Sequence, residues 1–118
     1  MFSACQETLE DRCVREAKEY SVKHCPVAVA ENIVIDSLTF DKASHTLHYY
    51  YSLSGKLDDA DVIKKNDAKK LLLDQLKNTT SMKVYKDAGF LFAYTYYSAK
   101  EPTNILFETV FTKKDYQP

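Results

Sequence analysis

The sequence predicts an α+β domain in which two helices pack on one face of a five-stranded antiparallel sheet, in the order α-β-β-α-β-β-β. Two stretches carry apolar residues at helical spacing, and several others alternate with period two. The composition agrees: nine Tyr and six Phe stand against two Gly and no Trp, and aromatic side chains favour a pleated surface. At 118 residues, 45% hydrophobic and 28% charged, residues 1–118 suffice for a single domain whose core needs no metal.

The first helix is expected from about Gln6 to His24. Leu9, Cys13, Ala17, Tyr20 and His24 recur three or four apart as one buried stripe, and charged residues fill the other faces. Pro26 ends it, because the residue before a proline avoids the helical region. Strands are then expected at Asn32 to Phe40 and His45 to Ser54. In the second, Leu47, Tyr49, Tyr51 and Leu53 share one face, while Thr46, His48, Tyr50 and Ser52 share the other. The short polar link Asp41-Lys42-Ala43-Ser44 makes the pair a hairpin.

Gly55 closes that unit, and a second helix opens near Asp58, whose carboxylate suits the N-cap. Leu57 and Val62 sit where a hydrophobic staple would place them. Ala68, Leu72 and Leu76 form its buried line, flanked by Leu71 and Leu73, and Asn78 ends it. Three strands complete the order, at about Ser81 to Lys86, Phe90 to Ser98 and Ile105 to Lys113. Short links then imply an antiparallel sheet with both helices on one face. A shift of 45 residues superposes Phe40 on Tyr85, Ala43 on Ala88, Tyr49 on Tyr94 and Tyr51 on Tyr96. That echo fits either a duplicated helix-hairpin unit or chance similarity between aromatic hairpins.

The residues exclude several functions. A formal net charge of -1 with intermixed signs argues against nucleic acid, which selects a basic stripe. No apolar stretch approaches the roughly 20 residues of a membrane span. Nucleophile elbows, His-Glu-x-x-His, phosphate-cradling glycine loops and Cys-x-x-Cys pairs are all missing, so neither catalysis nor a cofactor is expected. His45 and His48, three apart on a strand, point to opposite faces and do not suit a shared metal. His24 reads as a structural imidazole at the helix end. Cys13 and Cys25 would lie roughly 18 Å apart on one helix, beyond the span of about 4.4–6.8 Å that a disulfide bridges. They are expected as free thiols, and Cys5 lies roughly 12 Å from Cys13 on the same rise.

Phe2-Ser3-Ala4-Cys5 resembles the end of a bacterial lipoprotein signal, and the acidic residues Glu7, Glu10 and Asp11 suit the tether that follows. Such a signal needs basic and apolar regions upstream of the sequence given. The same residues also fit a structural alternative, a Ser3-x-x-Gln6 capping box. The chain as a whole is similar to small uncharacterised secreted or lipid-anchored proteins of Bacteroides-like gut bacteria. The matching features are Cys25-Pro26, Ile35-Asp36-Ser37-Leu38-Thr39-Phe40 and Leu47-His48-Tyr49-Tyr50-Tyr51. They continue with Tyr85-Lys86-Asp87-Ala88-Gly89-Phe90, Tyr94-Thr95-Tyr96 and Phe111-Thr112-Lys113-Lys114-Asp115-Tyr116. The resemblance implies an α+β fold at the cell envelope, in the periplasm or on the outer surface with lipid on Cys5, and supplies no catalytic residue.

Two functions follow as expectations. If the helices cover the face of Leu47, Tyr49, Tyr51, Phe90, Phe92, Tyr94 and Tyr96, the opposite face presents His48, Tyr50, Thr95, Tyr97 and Glu108. Rings beside hydroxyl and carboxylate groups suit a protein, peptide or glycan ligand, although such residues also simply fill a solvated sheet. The alternative is a small-molecule pocket, or an enzyme, between helices and sheet, using Tyr49 or Tyr94 with Asp36 or His24 as acid or base. Ile105 to Phe111 is further expected as an exposed edge, open to a homodimer.

Overall fold

The computed structural model describes residues 6–117. Helix α1 (Leu9–His24) begins at Thr8, whose hydroxyl accepts from the Asp11 amide at 3.0 Å. Strands β1 (Val27–Ala30), β2 (Ile33–Asp41) and β3 (Thr46–Leu53) follow. A 3-10 turn (Gly55–Leu57) leads to α2 (Ala60–Lys65), α3 (Ala68–Asn78) and α4 (Lys83–Asp87). The chain closes with β4 (Leu91–Ser98), β5 (Ile105–Phe111) and α5 (Lys113–Tyr116). No described helix is long and apolar enough to cross a membrane.

The class is α+β with five strands, but the sheet is mixed rather than antiparallel. Its order is β1-β2-β3-β4-β5, and β3 pairs with β4 in parallel. The cause is the connection: three helices separate these strands, long enough to return the chain to the end where β3 began. Every β3–β4 pair joins residues 45 apart, from Thr46↔Leu91 to Leu53↔Ser98. The sequence echo is therefore the register of this parallel pair, placing Tyr49 on Tyr94 and Tyr51 on Tyr96. It does not mark a repeated hairpin, since Phe40 lies in a strand and Tyr85 in a helix.

The element order is corrected in further places, one of them the end of the last expected strand, where Lys113 opens helix α5 behind the Thr112 capping box instead of closing β5. Residues expected as a strand from Ser81 to Lys86 form the loop and helix α4, and β4 takes its two neighbours from β3 and β5. The α4 turn is held instead by local contacts, with Lys83 paired to Asp87 at 2.7 Å. Lys86 Nζ donates to the carbonyls of Leu76 and Thr79 at 2.7 Å each, satisfying acceptors freed at the end of α3. The expected second helix is broken at Asn66-Asp67, where Asp67 adopts φ 52 and caps α3 through the Lys70 amide. Asp59, not Asp58, caps α2; Asp58 accepts from the Lys100 amide instead. That one-position shift buries Ile63 rather than Val62. Finally, Val27–Ala30 forms a short edge strand the alternation had not suggested.

The core lies between the helices and the inner sheet face. Phe92, Phe111, Leu47 and Leu53 are almost wholly buried there, joined by Cys13 and Ala17 of α1 and Leu72 and Leu76 of α3. Burying such a large side chain contributes about 1.5–3 kcal/mol, enough to fix which face points inward. His24 departs from the expected stripe: it is exposed and rests on Tyr20, with ring centroids 5.2 Å apart. Beyond Ile35 the edge of β2 is closed by Ser21, whose hydroxyl donates to the Leu38 carbonyl at 2.9 Å and accepts from its amide at 2.8 Å.

Candidate functional site

Period-two alternation sends His48, Tyr50, Ala93, Thr95, Tyr97, Glu108 and Val110 to the outer face, opposite the helices. The five residues singled out from the sequence come together there. His48 and Tyr50 stack with centroids 4.1 Å apart and planes 10° apart. Tyr50 and Tyr97 continue the stack at 6.4 Å and 17°. His48 Nε2 lies 2.7 Å from Thr95 Oγ1, and the Thr95 hydroxyl donates to Glu108 Oε2 at 3.4 Å. With that donation, the remaining Thr95 lone pairs favour the tautomer carrying its proton on Nε2.

One expectation changes. Thr95 is not presented to solvent but is 2% exposed, overgrown by longer side chains from β3 and β5. It is the link between His48 and Glu108. Burial lowers the His48 pKa below its ordinary 6.5 and outweighs the opposing pull of Glu108. The face therefore carries a neutral imidazole at physiological pH.

Beside the stack is a depression of ≈ 340 Å³, walled by His48 and Tyr50 on one side and Val110 on the other, with Thr39 and Thr46 at its end. Ala93 lies at its floor, between His48 and Val110 in the register. Its small side chain leaves the space that a larger residue would fill. Sequence reasoning missed Ala93, Thr39 and Val110. The signal was available, since Ala93 is the one small residue in the alternating run from Leu91 to Tyr97.

The other expected groups are placed elsewhere. His45 lies in the turn before β3 at φ 54, where it meets Glu10 at 3.1 Å and packs against Phe90; it points away from His48. Asp36 lies on the outer face and accepts from Ser52 Oγ at 2.5 Å, and His24 is exposed, so neither can serve as acid or base for Tyr49 or Tyr94 inside. Cys13 and Cys25 are free thiols, and burial pushes the Cys13 thiol up to about 12. Among the described residues no three His, Cys, Asp or Glu side chains are grouped to hold a metal ion. Cys5 and Ser3 lie outside the described residues.

A family model described as a domain of unknown function (DUF8479) matches residues 8–107. Among curated proteins nothing matches the chain. Solved structures share the fold at low identity. A protein from Pseudomonas aeruginosa, provisionally described as secreted, superposes with a TM-score of 0.76 at 18% identity, covering 95% of this chain and 100% of that one. The type 2 secretion system pilotin EpsS from Vibrio vulnificus gives 0.66 at 12% identity over 93% of each chain. The type II secretion system pilotin AspS from Vibrio cholerae gives 0.61 at 13% over 91% of each.

Proposed function

The chain belongs to the DUF8479 family, and from that premise we propose that it is a non-catalytic binding module of the cell envelope that holds a protein or peptide on its outer sheet face. The observation that carries this is the juxtaposition of the His48–Tyr50–Tyr97 stack with the depression floored by Ala93. Stacked rings engage one another's faces and turn their edges, hydroxyls and imidazole nitrogens outward. Sugars are held by packing onto open ring faces, so this arrangement favours a hydrogen-bonding polypeptide over a glycan. The likeness in fold to two secretion-system pilotins and a protein described as secreted supports an envelope setting.

Photo-crosslinking tests the surface. A crosslinker at Val110, 51% exposed beside the depression, is expected to give a defined adduct in the native envelope, and one at Val22, 74% exposed on α1, is not. Tyr50→Ser with Tyr97→Ser should abolish the Val110 adduct while changing thermal stability little. An adduct at Val110 that survives this pair would show that the stacked rings do not hold the partner, and no adduct at Val110 in the parent would place the partner elsewhere.

A lipid on Cys5 is the second part of the proposal, supported by the small residues Ser3-Ala4 before it and the acidic run behind. Fatty-acid labelling of the full-length protein in its own host should mark the parent and not Cys5→Ser. Equal labelling of both would exclude Cys5 as the anchor.

A further inference from the structure

The inner sheet face carries a second set of aromatic groups that packing alone does not explain. Tyr49, Tyr51, Tyr94 and Tyr96 form a ring ladder across β3 and β4, with Tyr49 and Tyr94 stacked at 5.1 Å and 10° and Tyr51 edge-on to Tyr96 at 5.1 Å. Buried tyrosine hydroxyls normally find partners, and Tyr116 does so, donating to the Phe90 carbonyl at 2.7 Å. None of these four hydroxyls has a hydrogen-bond partner among the described residues. Yet no described side-chain polar atom is both sealed from solvent and unpartnered. The four hydroxyls therefore border open space.

That space is visible at Tyr49. A cavity of ≈ 310 Å³ lies between α1, the inner face and the segment joining α3 to α4, lined by Cys13, Ala17, Tyr20, Tyr49, Met82 and Tyr85. Its volume is at the lower end of small-ligand sites, roughly 300–1,000 Å³. Tyr49 is only half-buried by area, but crowding around its hydroxyl raises its pKa above the ordinary 10, keeping it a neutral donor.

The charge at the cavity selects its occupant. The one ionised group of its lining is Glu16, which receives the Tyr85 hydroxyl and pairs with Arg12 at 3.2 Å. Burial raises the Glu16 pKa, but those two partners outweigh it and hold it low, so the carboxylate stays charged. No cation among the lining residues is free to meet an anion, and a cation would have to displace Arg12.

We propose that this cavity binds a small, uncharged, mainly apolar molecule carrying one hydrogen-bonding oxygen, anchored by the Tyr49 hydroxyl. The site is separate from the outer face and does not depend on a partner there. A protein side chain inserted from a partner is the competing occupant.

Amide NMR titration with three probes of one shape distinguishes these outcomes: 2-naphthol, naphthalene and 2-naphthoate, at neutral pH. 2-Naphthol is expected to shift the amides of Cys13, Ala17, Thr79 and Met82 saturably, naphthalene to bind several-fold more weakly, and the anion weakest of all. Tyr49→Phe keeps the ring and removes one hydrogen bond, so it should weaken 2-naphthol by about 3- to 10-fold and leave naphthalene unchanged. Ala17→Leu, which fills the cavity, should abolish binding of both; if that variant fails to fold, Tyr49→Phe still decides. Tyr50→Ser should leave the titration unaltered. Equal binding of 2-naphthol and naphthalene, insensitivity to Tyr49→Phe, or shifts confined to the outer face would each overturn the proposal. So would a native-envelope protein adduct at Met82, which would show a macromolecular occupant.

Discussion

At the scale of single residues, context divides one chemistry. Tyr85 is buried and gives its hydroxyl to Glu16, whereas Tyr50 stacks on His48 on the outer face. His48 is the residue on that face whose state matters most. Its pKa is lowered by burial, so the folded protein holds fewer protons here than the unfolded chain at pH values just below 6.5. Stability from the neutral imidazole is then fully present above the unfolded value and is lost as pH falls through it toward the folded one. Denaturant unfolding of the parent and His48→Gln over that interval checks this. The parent should lose stability with falling pH by a larger amount than the variant. Parallel curves would mean that the imidazole is not linked to folding. Protonation adds its proton at Nδ1 and leaves Nε2–H donating, so the contact with Thr95 should persist through the pH change.

At the scale of elements, legibility followed the range of the interactions that decide each piece. The stripe of α1, the alternation of β3 and the run of β4 were legible because burial on one face writes a period directly into the sequence, and β2 was legible from its β-branched residues. So was the composition of the outer face, since His48, Tyr50, Thr95, Tyr97 and Glu108 follow from parity alone. The segment from Ser81 to Lys86 was not legible. Its residues suit a strand, but Tyr85, Lys83 and Lys86 each found partners that hold a helical turn. The break at Asn66-Asp67 was equally hidden, because Leu57 to Leu76 carries an apolar period that continues across it. The direction of β4 depended on where three short helices deliver the chain, which no local pattern states. Ser21 was missed because its partner, Leu38, lies 17 residues away. It sits beside the buried stripe rather than on it, and only a view of the β2 edge gives it a role. Thr95 was placed on the right face but with the wrong exposure, because burial there comes from neighbours on two other strands.

At the scale of the whole molecule, the order β1-β2-β3-β4-β5 leaves two sheet edges with different protection. At the β2 side, short β1 covers one half and Ser21 of α1 covers the other. At the β5 side, Ile105 and Val110 remain half-exposed along a seven-residue strand, a pattern that invites pairing with a second chain. Glu108 lies between them in sequence, midway along the strand, with its carboxylate exposed. In an antiparallel pairing of two such edges centred on this residue, the two carboxylates would stand opposite each other, and like charges in that position oppose pairing. Glu108 is thus suited to guard the edge as well as to receive the Thr95 hydroxyl. Glu108→Val removes the charge and supplies a β-branched side chain, so the variant should form concentration-dependent dimers or larger species where the parent does not. Sedimentation velocity over a range of concentrations checks this, with Glu108→Gln separating loss of charge from gain of apolar surface. Gln should show little association if the apolar surface dominates, and as much as Val if repulsion between carboxylates is the barrier. If the parent itself associates and Val110→Lys disperses it, the edge is an interface of this protein and Glu108 sets its register rather than blocking it.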